Sequence, residues 1–229
     1  GLLPGRTLVR RGGRLASVPA GDVLSVDAFC TNGRTRWWST GGQLLRDGDL
    51  GPTYVGDVLA GQTRLFAGAE LGLGFYRAAN LCVAFVFDPT RPGLNDGVPL
   101  PPVRGELTGA ACAFAGRRAW LFLGTRHGGR ELHQCVLVRA DGAALAAAEA
   151  AAGDGSWLGT LGGACAVGDF LLAPTDDGVV RLEAAGGRIF MTKAFPDTEP
   201  FVDAGSVLLP APGGLAVVGP REVRILAIR

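Results

Sequence analysis

Five turn glycines recur along the chain and divide it into units of similar length. They are Gly21, Gly61, Gly116, Gly168 and Gly213, and they lie 40, 55, 52 and 45 residues apart. Each precedes a short apolar run of the kind that forms a buried strand. With 37 glycines and 14 prolines among 229 residues, long helices are disfavoured. A period of this length built from short strands predicts a repeat architecture.

Two units match well enough to show what each contains. Residues 164–172 (Ala-Cys-Ala-Val-Gly-Asp-Phe-Leu-Leu) parallel residues 16–26, and residues 181–190 parallel residues 36–45. Each unit holds a small-residue strand a, a Gly-Asp turn, an apolar strand b, a strand c, a Gly-Gly turn and a strand d. A four-stranded sheet buries both faces only against neighbouring sheets. The sequence therefore predicts an all-β fold, a five-bladed β-propeller of four-stranded antiparallel blades.

The predicted blades fill a single domain spanning residues 1–229. Their approximate bounds are 13–50, 54–105, 109–158, 162–199 and 205–229. Since the last unit lacks strand d, we expect the N-terminal strand 7–11 to pair with residues 223–228 and close the ring. Deletion of residues 1–11 should then destabilise the whole ring. The alanine-rich segment 143–152 has a helical composition but occupies a d position, which predicts a strand that ends in a helical turn.

The unit from Gly168 to Arg188 carries a more specific pattern. It reads Gly-Asp, apolar strand, Asp-Gly turn, apolar strand, then Gly-Gly-Arg. This order resembles the repeat of quinoprotein-like (PQQ-like) propellers, and the resemblance implies a propeller fold. Catalytic members of that family are larger and carry metal and cofactor ligands that do not occur here. We therefore predict no cofactor.

Bulk composition excludes several kinds of partner. The 22 basic and 21 acidic side chains give a net charge of +1, which argues against a nucleic-acid surface. The sequence contains no run of about 18 apolar residues, so it predicts no membrane span. The five cysteines form no CxxC motif and predict buried free thiols in a reducing, cytoplasmic compartment. The sequence begins with glycine and has a single methionine, Met191, which favours a portion of a larger protein.

No constellation of catalytic residues emerges from the sequence. The two histidines, His127 and His133, have a spacing that fits no zinc motif, and solvated loop positions explain them better. Nucleophile-elbow and phosphate-loop motifs do not occur. Cys112 and Cys165 occupy equivalent positions, and small-residue packing explains them better than a thiol pair on the axis. We predict a protein that is not an enzyme and has no metal site.

Two long connections between strands b and c are the candidate binding apparatus. They span residues 69–80 and 125–133, on the face that also carries the d–a connectors. The predicted partner-binding residues are Tyr76, Arg77, Arg126, His127, Arg130 and Trp157. Aromatic and arginine side chains on a rigid scaffold are typical of interfaces.

These residues predict a non-catalytic interaction or sensor module that binds a protein partner, or a fused domain of the same polypeptide, through this face. The alternative is a small-molecule (carbohydrate-like) binding protein or hydrolase that uses the axial channel. A polar channel with two or more inward carboxylates would favour that alternative.

Overall fold

The computed structural model describes residues 6–11, 14–19, 26–47, 51–78, 81–88, 93–95, 97–103, 105–151, 163–195, 202–203 and 205–227. These residues form strands, turns and short connections. None of them is helical, so no helix long and apolar enough to span a bilayer occurs among them.

The described strands form an N-terminal hairpin followed by five sheets. The hairpin pairs β1 (Arg6–Arg11) with β2 (Arg14–Pro19). Sheet I contains β3 (Ala28–Thr31), β4 (Arg36–Thr40), β5 (Gln43–Arg46) and β6 (Thr53–Asp57). Sheet II contains β7 (Thr63–Ala67), β8 (Gly72–Ala78), β9 (Leu81–Phe87) and β10 (Val98–Pro99).

Sheets III and IV have the same four-stranded order, and sheet V has three described strands. Sheet III contains β11 (Glu106–Ala115), β12 (Arg118–His127), β13 (Arg130–Arg139) and β14 (Ala144–Ala151). Sheet IV contains β15 (Cys165–Val167), β16 (Phe170–Thr175), β17 (Gly178–Ala185) and β18 (Arg188–Phe195). Sheet V contains β19 (Val207–Ala211), β20 (Gly214–Val218) and β21 (Val223–Ala227). Neighbours within each sheet are antiparallel and consecutive in the chain.

Two-residue glycine turns explain several of these hairpins. Gly41-Gly42, Gly128-Gly129 and Gly186-Gly187 all have positive φ, between 54° and 83°. Positive φ at both central residues is the type I′ geometry, whose twist matches that of the flanking strands. Glycine adopts it without a steric penalty from Cβ. The turn predicted between the third and fourth strands at residues 186–187 is confirmed. A turn is also present at residues 41–42, but it joins β4 and β5, the second and third strands of sheet I, and not the third and fourth as predicted.

Consecutive sheets bury their apolar side chains against each other. Four apolar clusters lie between sheets I and II, II and III, III and IV, and IV and V. On β12, Leu121 and Leu123 face sheet II, while Trp120 and Phe122 face sheet IV. Successive side chains of a strand point to opposite faces, so sheet III is buried on both sides. This face-to-face succession of small sheets is a propeller-like arrangement.

Sheets III and IV also share hydrogen bonding at their outer strands. Ala147 of β14 forms a single parallel bridge with Arg188 of β18. The Ala147 amide donates to the carbonyl oxygen of Gly187 at 3.3 Å. The bridge joins the two four-stranded meanders into one eight-stranded sheet.

Both ends of the array present apolar faces to solvent. On sheet I, Phe29, Trp38, Leu45 and Tyr54 are cross-strand neighbours in one row, and Phe29 is 55% and Tyr54 50% exposed. This row lies on the face opposite the cluster shared with sheet II. On sheet V, the face opposite sheet IV carries four exposed aliphatic side chains: Val207, Leu209, Val223 and Ile225.

The sheet bounds differ from the predicted blades mainly at the beginning of the chain. Sheet I spans residues 28–57, whereas the first blade was predicted over 13–50. The hairpin of β3 and β4 explains the shift, because Asn32 Oδ1 accepts hydrogen bonds from the amides of Arg34 at 3.0 Å and Thr35 at 2.9 Å. Such an Asx turn fixes a reversal that the repeat alignment did not use.

Two further expectations concern residues 7–11 and 143–152. Residues 7–11 pair with β2, and β21 has no second neighbour among the described strands. Pairing with the adjacent strand costs less loop-closure entropy than pairing with a strand some 200 residues away. In the alanine-rich segment, β14 confirms the strand, because pairing with β13 overrides helix propensity. The expected helical turn falls after residue 151, outside the described residues.

Candidate functional site

The structure places the predicted partner-binding residues on strands and not in long loops. Tyr76 and Arg77 lie in β8, and Arg126 and His127 end β12. Arg130 begins β13 after the two-residue turn at residues 128–129. The prediction of two long connections is therefore wrong. Trp157 lies outside the described residues.

Glycine in β8 is the reason that residues 69–80 looked like a loop. Gly72 pairs with Phe87, and Gly74 pairs with Phe85. The phenylalanine rings lie directly over these glycines, so that an added Cβ would overlap ring atoms. Aromatic rings that cover glycines in a neighbouring strand supply the packing that the glycines lack. The run therefore forms a buried strand.

Register brings the predicted residues of β8 and β12 to one end of sheets II and III. Thr63, at the start of β7, pairs with Tyr76, and Glu106, at the start of β11, pairs with Arg126. The C-terminal ends of β8 and β12 therefore lie beside the N-terminal ends of β7 and β11. We call this end, defined by Tyr76, Arg77, Arg126, His127 and Arg130, the site face.

Gly105 connects the two sheets at the site face. The Arg77 guanidinium donates a hydrogen bond to the Gly105 carbonyl oxygen. Gly105 has φ of 79°, and its Cα lies so close to the Arg126 carbonyl and His127 Cβ that no side chain would fit. Arg77 and Arg126 are thereby held on either side of one backbone segment.

Exposure separates the predicted residues into two groups. Arg126, His127 and Arg130 are exposed at the tip of the β12–β13 hairpin. Arg126 pairs with Glu131 at 3.0 Å, with both side chains about half exposed, so this ion pair adds only about 0–1 kcal/mol. Tyr76 is half-buried, and its ring centroid is 6.4 Å from that of Phe85. The hairpin tip is available for contact, whereas Tyr76 contributes to packing.

An open cavity of about 790 Å³ adjoins the site face. It lies where β3, β7 and β11, the first strands of sheets I to III, begin. Four charged residues, Asp27, Arg64, Arg77 and Glu106, contribute to its wall together with the aromatic residues Phe29 and Phe66. We call it the inner cavity. Its volume falls within the range of small-molecule sites.

Three of these charged side chains make no contact that neutralises them. Within the described part of the chain, Asp27, Arg64 and Glu106 form no side-chain hydrogen bond or ion pair. All three residues are exposed. Groups of both signs therefore line one cavity without pairing with each other.

The sequence prediction missed Asp27, Arg64 and Glu106 because it placed the first strands elsewhere. In the first two units strand a was expected near residues 16 and 58, whereas the first strands begin at 28 and 63. In the third unit β11 contains the expected residue 111, but it begins earlier, at 106. A local signal was present in two units, where an acidic residue opens the first strand or directly precedes it: Asp27 before β3, and Glu106 in β11.

The cysteines and His133 have structural surroundings. All five cysteines are free, and four of them are buried. Cys112 packs in the cluster between sheets II and III, and Cys165 in the cluster between IV and V, so they do not face each other. Burial raises the pKa of both thiols.

His133, expected in a solvated loop, is half-buried in β13, where burial lowers its pKa. Among the described side chains, no group of three or more His, Cys, Asp or Glu is placed to hold a metal ion.

Comparison with known proteins gives only distant structural similarity. No family model and no curated protein matches the chain. Hydrazine synthase of Kuenenia stuttgartiensis is 8% identical with a TM-score of 0.44, covering 87% of this chain and 70% of that one. AztD of Citrobacter koseri is 12% identical with a TM-score of 0.39, covering 93% and 72%. PorZ of Porphyromonas gingivalis is 13% identical with a TM-score of 0.31, covering 90% and 33%. At these values no function is transferred from them.

Proposed function

We propose that the chain is a non-catalytic interaction module of a larger protein, and that the site face binds a protein partner or a fused domain of the same polypeptide. The observation that carries this proposal is the grouping of Arg77, Arg126 and His127 around Gly105 at one end of two sheets, with Arg130 paired to His127 across the hairpin. Arginine and aromatic groups held on a rigid scaffold are the usual energetic centres of interfaces.

The β12–β13 hairpin offers a matched pair of positions for a test. Arg130 and Arg139 are both exposed and occupy opposite ends of β13. A photoreactive amino acid at position 130 of the full-length protein is expected to crosslink a specific partner in cells. The same amino acid at position 139 should not crosslink that partner. Mass spectrometry identifies the protein captured.

Binding of the purified partner then tests the exposed side chains directly. The triple substitution Arg126→Ala, His127→Ala, Arg130→Ala should weaken binding at least about tenfold, equal to about 1.4 kcal/mol. The melting temperature should stay unchanged, because these residues are exposed. Arg139→Ala serves as the control with full affinity. Undiminished affinity in the triple variant would contradict the assignment of the site face.

The same proposal includes a ring of five blades that the N-terminal segment closes. Two features support closure: the apolar outer faces of sheets I and V, and the single hydrogen-bonded neighbour of β21 among the described strands. Eight residues separate β2 from β3 in the sequence, and five residues separate β6 of sheet I from β7 of sheet II. The hairpin of β1 and β2 is therefore positioned in the chain to supply the outer strand of sheet V. Within this ring, residues 162–199 would be a PQQ-like repeat, since β15 to β18 follow the strand order of that repeat.

Hydrogen exchange tests closure at a single strand. Deleting residues 1–19 should accelerate exchange of the β21 amides that point away from β20 by at least about tenfold, since they would lose their partners. The amides shared between β19 and β20 provide the internal reference and should keep their protection. Equal β21 protection in both proteins would exclude closure by this segment.

Small-molecule binding in the inner cavity is the second candidate function. A specific observation favours it: two carboxylates, Asp27 and Glu106, contribute to a polar cavity at the inner edge of three sheets. Two carboxylates in the lining of a polar cavity support a small-molecule site, the alternative to partner binding. The proposed ligand is a small polar molecule, and carbohydrates belong to this class.

A further inference from the structure

We propose that the inner cavity binds a zwitterion of about dipeptide size, a molecule with a free ammonium group and a free carboxylate. This inference rests on the second candidate function and identifies its ligand class. The juxtaposition that carries it is the set of unpaired groups of both signs, Asp27, Arg64 and Glu106, around one open space.

Each end of a zwitterion has a complementary group in the cavity. The Asp27 and Glu106 carboxylates accept hydrogen bonds from an ammonium group. The Arg64 guanidinium presents a fork of N–H donors that matches a carboxylate. Arg77 adds positive charge to the same wall, and its bond to the Gly105 carbonyl fixes its direction. Charge-assisted hydrogen bonds of this kind are stronger than neutral ones.

The charge balance of the wall disfavours other ligand classes. An anion would meet the carboxylates of Asp27 and Glu106, and a cation would meet the guanidinium groups of Arg64 and Arg77. A neutral sugar can hydrogen-bond to these charged groups through its hydroxyls, but it carries no charge to compensate either set. Only a ligand with both signs compensates both sets of groups.

The remainder of the cavity wall suits an apolar side chain between the two ligand ends. Phe66, Leu107 and Ala110, which are all half-buried, contribute to the wall. Covering these apolar side chains removes apolar surface from water, which favours binding. A dipeptide with one aromatic residue places its charged termini and its ring in one molecule.

The polar groups are held by paired strands. Arg64 pairs in register with Phe75, which is fully buried. Glu106 pairs with Arg126 at the start of β11. Because these strands are fixed by the core between sheets II and III, little backbone reorganisation accompanies binding. Preorganised groups bind more tightly than mobile ones.

Calorimetry with four probes tests the proposal on the intact chain. The probes are alanyl-phenylalanine, its N-acetyl derivative, its C-terminal amide and maltose. Alanyl-phenylalanine is expected to bind, and blocking either terminus should weaken binding at least about tenfold. Arg64→Gln should reduce affinity for the free dipeptide but not for its amide. Glu106→Gln should reduce affinity for the free dipeptide but not for its N-acetyl derivative.

Controls separate this inference from the function on which it rests. Arg139→Gln, outside the cavity and the site face, should bind alanyl-phenylalanine normally, and circular dichroism verifies that each variant folds. Binding of maltose without the dipeptide would overturn the zwitterion and support the cavity function. Equal affinity for free and blocked dipeptides would overturn the charge assignment. No binding of any probe would overturn both.

Discussion

Replacing Trp120 with alanine is expected to lower the free energy of unfolding by about 3–5 kcal/mol. Trp120 is fully buried in β12 and packs in the cluster between sheets III and IV, with Phe122, Leu171 and Leu182. Removing the indole takes away its transfer free energy and leaves a cavity. Sheets that are hydrogen-bonded at their outer strands cannot move together freely to fill it. Urea denaturation followed by circular dichroism measures the loss.

Phe190 offers a control of similar chemistry in a different environment. It lies on the neighbouring sheet, in β18, and is 54% exposed. Phe190→Ala should change the free energy of unfolding by less than about 0.5 kcal/mol. A loss below about 1 kcal/mol in Trp120→Ala would show that sheets III and IV do not pack through this residue.

Replacing Gly74 with alanine is expected to destabilise the protein by about 1–3 kcal/mol, as overpacking does. The added Cβ would overlap the Phe85 ring, which is almost fully buried and touches Tyr76 and Phe87. Because Phe85 is only 3% exposed, the ring cannot relieve the overlap by turning into solvent. The φ of Gly74 is not positive, so backbone strain does not contribute to the loss.

A double-mutant cycle identifies the ring as the cause. In a Phe85→Ala background the overlap is gone, and Gly74→Ala should become neutral or stabilising, because alanine has less conformational entropy to lose than glycine. Calorimetric melting of the four proteins gives the coupling energy. The same destabilisation in both backgrounds would show that Gly74 is needed for another reason.

Local turn chemistry made most of the fold readable from the sequence. The turns at Gly168-Asp169 and Gly186-Gly187 lie where the repeat alignment placed them, and the turn at Gly41-Gly42 forms at the expected residues but one strand earlier in its sheet. Such turns depend on the residues within them. The glycines of β8 were misread for the opposite reason. Gly72 and Gly74 form a strand only because Phe85 and Phe87 cover them from β9.

The candidate site also contains residues that local patterns could predict and residues whose placement depends on tertiary packing. Arg126, His127 and Arg130 were predicted on one face from strand order alone, and the register places them there. The inner cavity could not be predicted, because it brings together Asp27, Arg64 and Glu106 from three different sheets. Its shape depends on how sheets I, II and III pack, which no local pattern specifies.

The bridge between Ala147 and Arg188 has a mechanical consequence for the whole array. It makes the middle eight strands one continuous hydrogen-bonded body, whereas no described strand of sheet I or V pairs with a strand of a neighbouring sheet. Those two sheets pack on their neighbours mainly through apolar side chains, with one backbone bond from the Leu208 amide to the Gly163 carbonyl oxygen. Shear between apolar surfaces meets less resistance than shear that must also break the bond between paired strands. A load on the molecule is therefore expected to peel away the terminal sheets first, and the centre would remain as the last element to yield.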